Sequence, residues 1–183
     1  LLHTVMLGVG KELVKDMLQH YLNPSQKEIL QSMLFSYNSK RFSRKLRSSL
    51  RLHGSFLGRD YKILLQQIPL LLDEMIQNQH IPSTHTQIHI IKNCFNSLGR
   101  LISLLYTSKI YTHFSFYINM ITCEYRRFRQ YTQQHDTYMR TLYPANSRRQ
   151  GIHNSSKMHI LYHLTEDIIR FGSPIFYETE KGE

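Results

Sequence analysis

The stretch RDYKILLQQIPLLLDEMI, residues 59–76, decides what kind of fold this chain can adopt. Its apolar side chains recur three or four positions apart, the spacing that places them along one side of an α-helix. They are Tyr61, Leu64, Leu65, Ile68, Leu71, Leu72, Met75 and Ile76. A stripe this broad belongs to a helix that is covered from several sides, so it predicts the centre of a helical bundle. Pro69 is expected to kink or divide this helix.

Two helices are predicted before the central stretch. Residues 1–22 carry one apolar stripe, although Gly8 and Gly10 weaken its first half and favour a turn or a strand end there. A second helix begins after Asn23, which is expected to be its N-cap, with Pro24 at the first helical position. Gln26 stands where it completes a capping box.

Two amphipathic helices are predicted after it. The first is expected to be capped by Ser83 or Thr84, and its buried stripe comprises Ile88, Ile91, Phe95, Leu98, Ile102 and Leu105. The second covers about 111–131, with 132–142 as a continuation left open, and its inward side chains are Phe114, Tyr117, Ile118, Ile121, Tyr125 and Phe128. No convincing strand pattern occurs. The predicted fold is mainly α, a single bundle of six or seven helices.

Length and composition bound the class of protein. The chain has 183 residues, 41% of them hydrophobic, so residues 1–183 are expected to form a single α-helical domain with its own core. Its longest nearly apolar run, 63–76, contains Asp73, Glu74 and Pro69, so no membrane partner is expected. Cys94 and Cys123 lie on separate predicted helices without metal-ligand spacing, which indicates structural thiols in a reducing compartment.

The charge balance favours a polyanionic partner. Lysine and arginine outnumber aspartate and glutamate by 23 to 13, a net charge of +10, which promotes DNA binding through release of counterions. The candidate nucleic-acid-binding residues are Arg41, Arg44, Lys45, Arg47 and Arg51 in a basic amphipathic run, Arg126, Arg127 and Arg129 at a predicted helix end, and Arg148 and Arg149 in a loop. A solvated helix face explains the first cluster equally well, and attraction to a helix C-terminus explains the second.

The segment KMHILYHLTEDIIRFG, residues 157–172, combines a predicted helix with side chains that carry chemistry. His159, His163 and Asp167 are four residues apart, so on one continuous helix they stack a turn apart and can reach a phosphate or a metal. The plainer interpretation is a solvated polar stripe.

The sequence also indicates where this last helix begins and ends. A polar, basic internal loop is predicted at 143–156, and Ser155 or Ser156 is expected to cap the helix that follows. In a helix that begins there, Glu166 and Asp167 come too late to be first-turn acids. Gly172 predicts the helix end, and 173–183 is expected to be an extended tail.

Several catalytic motifs are absent from the sequence. It contains no phosphate-binding glycine loop, no dinucleotide fingerprint, no cysteine-rich zinc pattern and no nucleophile elbow. A two-metal site needs carboxylates from several elements, whereas this chain offers only Glu178, Glu180 and Glu183 from one end. The chain by itself therefore lacks the parts of a hydrolase.

Three stretches carry a resemblance to a known family. The closing pattern of residues 157–172, followed by Thr179-Glu180-x-x-Glu183, resembles the end of transposase-derived proteins of the CACTA and Kyakuja-Dileera-Zisupton groups. The opening LLHTVMLGVGK, residues 1–11, is similar to the stretch after the second catalytic aspartate there, with His3 as its histidine. GRDYK at 58–62, together with Pro69, resembles an internal landmark. Where the family has Ser-Thr-Glu, this chain has Glu178-Thr179-Glu180.

The resemblance implies an RNase H-like core in which three acids bind two divalent metals and cut or join DNA. An all-α insertion separates the second acid from the last, and this chain corresponds to that insertion and the approach to the last acid. It is then expected to be a fragment of a larger nuclear protein. The implied catalytic residues are Glu180, also the implied metal ligand, and Glu183, while His3, His159, His163 and Asp167 support the motif. Mg²⁺ or Mn²⁺ is implied only together with the missing core, which carries both earlier aspartates.

The expected function is therefore that of a DNA-associated helical fragment of a transposase-like protein, catalytically incomplete in isolation. Its expected partners are DNA and the missing N-terminal catalytic core, with a homo-oligomer left open. An alternative is a non-enzymatic α-helical protein-interaction module, which predicts an exposed apolar patch and indifference to nucleic acid. A third is a small metal enzyme that uses His159, His163 and Asp167.

Overall fold

The computed structural model describes residues 2–37, 46, 49–82, 84–107, 113–144 and 151–174, with side chains from residue 5 onward. Over these ranges the chain is mainly helical and contains no strand, which confirms the mainly α fold class. Within them, no helix combines the length and the apolar character that crossing a membrane requires. The elements in chain order are a π-helix at Leu2–Gly10, α1 at Lys11–Asp16, a π-helix at Met17–Tyr21, α2 at Pro24–Ser36, a 3-10 helix at Leu50–Ser55, α3 at Gly58–Gln77, α4 at Gln87–Leu105, α5 at Phe114–Leu142, α6 at Ser156–Tyr162 and α7 at Leu164–Phe171.

Helix α3 occupies the position that the opening stretch predicts. Its apolar stripe is buried, apart from the partly exposed Ile76, and it packs against α2, α4 and the first π-helix. The helix runs through Pro69 without a break, so of the two effects expected of this proline, a kink or a division, the division is wrong. Helix α3 begins after Leu57. The backbone N–H of Leu57 donates a hydrogen bond to the carboxylate of Asp60 in the first turn, which stabilises the start of the helix.

The first residues of the chain are helical, so the alternative of a turn or strand end is wrong. Gly10 lies where this segment meets α3, and a Cβ there would stand 2.8 Å from Leu65 Cδ1 and 3.1 Å from the carbonyl oxygen of Val5. Glycine therefore fits because it lets two helices approach closely, although it lowers the local helix propensity.

Helix α2 begins as predicted. The side chain of Asn23 accepts a hydrogen bond from the backbone N–H of Gln26 at 2.9 Å, and Gln26 Oε1 accepts one from the Asn23 N–H at 3.0 Å. Pro24 occupies the first helical position, where its missing N–H leaves no bond unmade. The amide of Gln26 also donates to the carbonyl oxygen of His80 at 3.1 Å, which ties the start of α2 to the end of α3.

Helix α4 lies between α3 and α5, and its predicted stripe is buried along its whole length. It begins at Gln87, preceded by Thr86, whose side chain makes no capping bond. The prediction of Thr84 as its cap is therefore wrong, and Ser83 lies outside the described residues.

Helix α5 is longer than the aromatic stretch indicated. It continues to Leu142, which confirms the open alternative, and Tyr117, Ile121 and Phe128 are buried as predicted. Phe114 is 44% exposed, so its inward placement is wrong: it is the first residue of α5, at the edge of the bundle. Because α5 extends past residue 129, Arg129 and the arginines beside it lie in mid-helix, and their predicted attraction to a helix C-terminus is wrong.

The C-terminal segment is two helices instead of one. Ser155 caps α6, accepting from the backbone N–H of Met158, but α6 ends at Tyr162 and α7 begins at Leu164. Glu166 and Asp167 consequently lie in the first turn of α7, where negative charge is favourable, so the expectation that they come too late is wrong. Gly172 ends α7 with a positive φ of 84°, as the predicted stop requires.

The two cysteines are free thiols. Cys94 is fully buried in α4, and burial raises the pKa of its thiol, so it stays neutral and packs as an apolar side chain. Cys123 is exposed on α5.

The capping box at α2 gives a first prediction. Replacing Asn23 by alanine removes the acceptor for the Gln26 N–H and should lower the free energy of unfolding by about 1 kcal/mol. Urea denaturation followed by far-ultraviolet circular dichroism measures this change. Ser25→Ala, at an exposed position one residue beyond Pro24, is the matched control and should change it by no more than a few tenths of a kcal/mol. Equal effects of the two substitutions would contradict the capping role.

Candidate nucleic-acid interface

Part of the predicted site lies outside the described residues. These positions are Arg41, Arg44, Lys45, Arg47, Arg148, Arg149, Glu180 and Glu183, together with the side chain of His3. The predicted residues that the structure describes are Arg51, Arg126, Arg127, Arg129, His159, His163 and Asp167. Two of them, Arg126 and Arg129, line the same groove.

A groove runs between α5 and the α6–α7 pair, with a volume of about 240 Å³. We call it the α5–α7 groove; its lining residues are Ile121, Thr122, Tyr125, Arg126, Arg129, Leu161, Tyr162, Leu164, Thr165 and Glu166. Leu161 and Leu164 are buried and form an apolar floor, whereas Arg126 and Arg129 are exposed. The groove thus offers positive charge above an apolar base.

Arg126 and Arg129 stand three residues apart on α5, so their side chains leave the helix from neighbouring turns. Arg129 lies close enough to Tyr125 to act on it electrostatically: burial raises the pKa of the Tyr125 hydroxyl, and the charge of Arg129 partly offsets that rise. The Tyr125 hydroxyl donates to the carbonyl oxygen of Met158 at 3.3 Å, which joins α5 to α6 below the arginines.

Helix α6 and the residue that follows it carry three neighbouring rings, of which Tyr162 lines the groove. The centroids of His159 and His163 are 5.2 Å apart in an edge-to-face arrangement, and those of Tyr162 and His163 are 5.1 Å apart in the same way. His163 Nδ1 lies 3.3 Å from a carboxylate oxygen of Glu166, which orients the imidazole. Tyr162 itself is 56% exposed.

His159 and His163 lie next to each other as the spacing predicts, although α6 ends between them. Asp167 is joined to His163 through the backbone, since its N–H donates to the His163 carbonyl oxygen at 3.0 Å. Across the described ranges, no group of three or more histidine, cysteine, aspartate or glutamate side chains is arranged to hold a metal ion. What the structure brings together around the groove is Arg126, Arg129 and Tyr162, whereas His159 and His163 are not among its lining residues.

The other two predicted arginines that the structure describes lie elsewhere. Arg127 turns towards Glu124, with 2.6 Å between its guanidinium and the carboxylate, beside a separate cavity between α3, α4 and α5. Arg51 is in the 3-10 helix, 3.4 Å from the carboxylate of Glu28 on α2. The predicted nucleic-acid-binding residues therefore do not form one continuous surface within the described part of the chain.

Asp136 sets the position of α6 relative to α5. Its two carboxylate oxygens accept hydrogen bonds from the backbone N–H groups of Ile152, at 3.0 Å, and His153, at 2.8 Å. A Cβ at Gly151 would overlap this carboxylate, so only glycine allows the chain to pass so close. The side chain of His153 also lies 3.0 Å from the Arg129 carbonyl oxygen. The turn before α6 is thus held to α5 at several points.

A buried polar chain that the sequence analysis missed fixes α5 itself. The hydroxyl of Tyr21 is 2.7 Å from His135 Nδ1, and His135 Nε2 is 3.1 Å from Asp16 Oδ2. None of the three residues is more than 2% exposed. Burial raises the pKa of the Tyr21 hydroxyl far above its usual range, so the phenol keeps its proton. Its O–H therefore donates a hydrogen bond to His135 Nδ1. His135 then carries its own proton on Nε2, and this N–H donates a hydrogen bond to Asp16 Oδ2.

A sequence signal for this chain did exist. Phe128, Thr132, His135 and Met139 follow the three- and four-residue spacing of the buried side of α5. Once the helix is extended to Leu142, His135 falls on its apolar side, where a polar residue needs a partner. The spacing does not reveal that the partners are Asp16 and Tyr21, more than a hundred residues away.

Comparison with protein-family models, with curated proteins and with solved structures found no match.

The buried chain leads to a stability prediction. His135→Ala leaves the Tyr21 hydroxyl and the Asp16 carboxylate without this partner in the core and should lower the free energy of unfolding by about 3 kcal/mol or more. The measurement is urea unfolding of the variant beside Gln133→Ala, at an exposed position on the same helix, which should differ little from the wild type.

A double-mutant cycle separates coupling from simple loss of packing. Tyr21→Phe should cost about 1 kcal/mol in the wild type and much less, or nothing, in the His135→Ala background, because the hydroxyl has already lost its acceptor. The same cost in both backgrounds would show that Tyr21 and His135 are not coupled.

The contacts of Asp136 lead to another prediction. Asp136→Ala removes the acceptor of two backbone N–H groups and should destabilise the protein by about 2–4 kcal/mol. Amide hydrogen exchange at Ile152 and His153 should accelerate more than exchange in α4. The exposed Gln134→Ala is the control on the same helix, and unchanged protection at both amides in Asp136→Ala would contradict the role of the carboxylate.

Proposed function

We propose that this chain is a DNA-associated helical part of a transposase-like protein, catalytically incomplete in isolation. The observation that supports this best is the α5–α7 groove, which is lined by the exposed Arg126 and Arg129 and by the exposed Tyr162. The chain around it carries a net charge of +10. Exposed cations beside an exposed aromatic ring are the combination that proteins use to hold nucleic acid.

The chemistry of such a contact is largely independent of sequence. Arginine guanidinium groups bind phosphate oxygens in pairs of hydrogen bonds and displace condensed counterions. Phosphate contacts of this kind hold and orient DNA without reading the bases. Glu166 is the acid that lines the groove, and its approach to His163 reduces its repulsion of a phosphate.

The transposase part of the proposal rests on the sequence resemblance at residues 157–172 and 179–183. Glu180 and Glu183 would approach the metal centre of a core that carries the other acids, and the divalent metal would there stabilise the reacting phosphodiester oxygens. The role of this chain's described residues is confined to binding: arginines on phosphates, and a helical scaffold that carries the closing segment. A nuclear location follows from the same proposal.

A second candidate function is an α-helical protein-interaction module. It is favoured by apolar side chains that α6 and α7 leave exposed, namely Ile160, Ile169 and Phe171. Exposed apolar side chains that lie close together in the sequence, as these three do, are typical of surfaces that bind another protein. Indifference to nucleic acid would distinguish this function from the first.

The test is salt-dependent DNA binding, measured by fluorescence anisotropy of labelled single-stranded and duplex oligonucleotides. The wild type should bind with an affinity that falls steeply as salt rises. The double variant R126Q/R129Q should weaken binding and reduce the slope of log affinity against log salt by about one for each arginine removed.

The control for this test keeps the same net charge. R59Q/R100Q removes two exposed arginines from α3 and α4, outside the α5–α7 groove, and should retain most of the affinity and the slope. Equal losses in both double variants would show that the groove is not the binding site. Absence of wild-type binding to either form of DNA would overturn the proposal and leave the interaction module.

A further inference from the structure

We infer that the α5–α7 groove binds single-stranded nucleic acid by stacking an unpaired base on Tyr162, in preference to duplex DNA. This inference rests on the proposed function and specifies the form of nucleic acid that the same site takes. It depends on where Tyr162 lies, on what holds it there and on the two arginines that face it.

Tyr162 is the last residue of α6, and its side chain combines an apolar ring with a polar hydroxyl. It is 56% exposed, although the positions beside it in the same groove, Leu161 and Leu164, are buried. The break between α6 and α7 follows immediately, so the backbone turns away and leaves the ring at the edge of the groove.

The ring of Tyr162 is in contact with the imidazole of the next residue. His163 meets it edge-to-face with an interplanar angle of 88°, and His163 is in turn in contact with His159 and with the carboxylate of Glu166. A ring that is already oriented loses less rotational freedom when a base stacks on it, and binding is correspondingly stronger.

The positive charges are placed to hold the strand that carries the base. Arg126 and Arg129 leave α5 from neighbouring turns on the facing wall. Two cations so spaced can contact successive phosphates of one strand while a base enters the groove between them and Tyr162. Binding proteins for single strands combine a cationic track with stacking rings in this way.

The geometry discriminates against a duplex. In a double helix, each base face is covered by its neighbours, so a protein ring reaches it only after the base has been unstacked. A single strand exposes its base faces without that unfavourable step. Duplex DNA can still contact the arginines through its phosphates, but it gains nothing from Tyr162.

The absence of tryptophan from the chain allows a direct test. In Tyr162→Trp, the new indole is the sole tryptophan, and a base that stacks on it quenches its fluorescence. Single-stranded oligonucleotides with normal bases should quench strongly, whereas oligonucleotides of the same length made of abasic sites should bind through phosphates and leave the fluorescence nearly unchanged. Leu70→Trp, an exposed position on α3 outside the groove, is the matched control and should show no such difference.

A second variant measures the effect on affinity. Tyr162→Leu removes the ring but keeps an apolar side chain, and should weaken binding of normal single strands about tenfold while leaving abasic and duplex binding unchanged. Tyr162→Trp should retain the wild-type preference. Both substitutions are at an exposed position, so thermal unfolding should stay close to that of the wild type.

The outcomes separate this inference from the proposed function. If the indole of the Tyr162→Trp variant responds equally to normal and abasic strands, or if Tyr162→Leu weakens all three ligands alike, stacking is overturned while DNA binding by the arginines stands. If the wild type binds no DNA of any kind, the proposed function itself is overturned.

Discussion

The buried hydrogen-bonded chain of Asp16, His135 and Tyr21 is the constraint on which the rest of this structure depends. It joins α1, which ends at Asp16, and the π-helix at Met17–Tyr21 to α5 through side chains that are at most 2% exposed. A buried polar group without a partner is costly, so these residues specify one relative position of the two elements, where apolar packing alone would tolerate several. Helix α5 spans 29 residues and forms one wall of the candidate site, so fixing it at His135 fixes that wall.

The residue next to His135 extends this control to the other wall. Asp136 binds the backbone N–H groups of Ile152 and His153, and the chain can come that close because residue 151 is glycine. Two consecutive residues of α5 therefore make two different contacts. His135 binds Asp16 and Tyr21 near the start of the chain, and Asp136 binds the turn that leads to α6. Together with the bond from Tyr125 to the Met158 carbonyl oxygen, the contacts of Asp136 hold α6 beside α5.

Much of the helical arrangement could be predicted, because local patterns express it directly. The spacing of apolar residues in α3 and α4, the capping box at Asn23 and the stop at Gly172 all depend on contacts within one or two turns. The errors occurred where local patterns do not decide. Nothing in the spacing marks His163 as a break, and Phe114 is exposed because of its place at the end of a helix.

For the candidate site, the sequence identified the residue types and the structure decided which of them meet. Arg126 and Arg129 were singled out from the sequence and Tyr162 was not, and only the fold of α6 against α5 placed the three around one groove. By itself the sequence determined a basic, mainly α chain with its helix signals, since these depend on near neighbours. The tertiary structure alone decided the pairing of His135 with Asp16 and Tyr21 and the exposure of Tyr162. Those outcomes depend on contacts between distant parts of the chain, which no local pattern records.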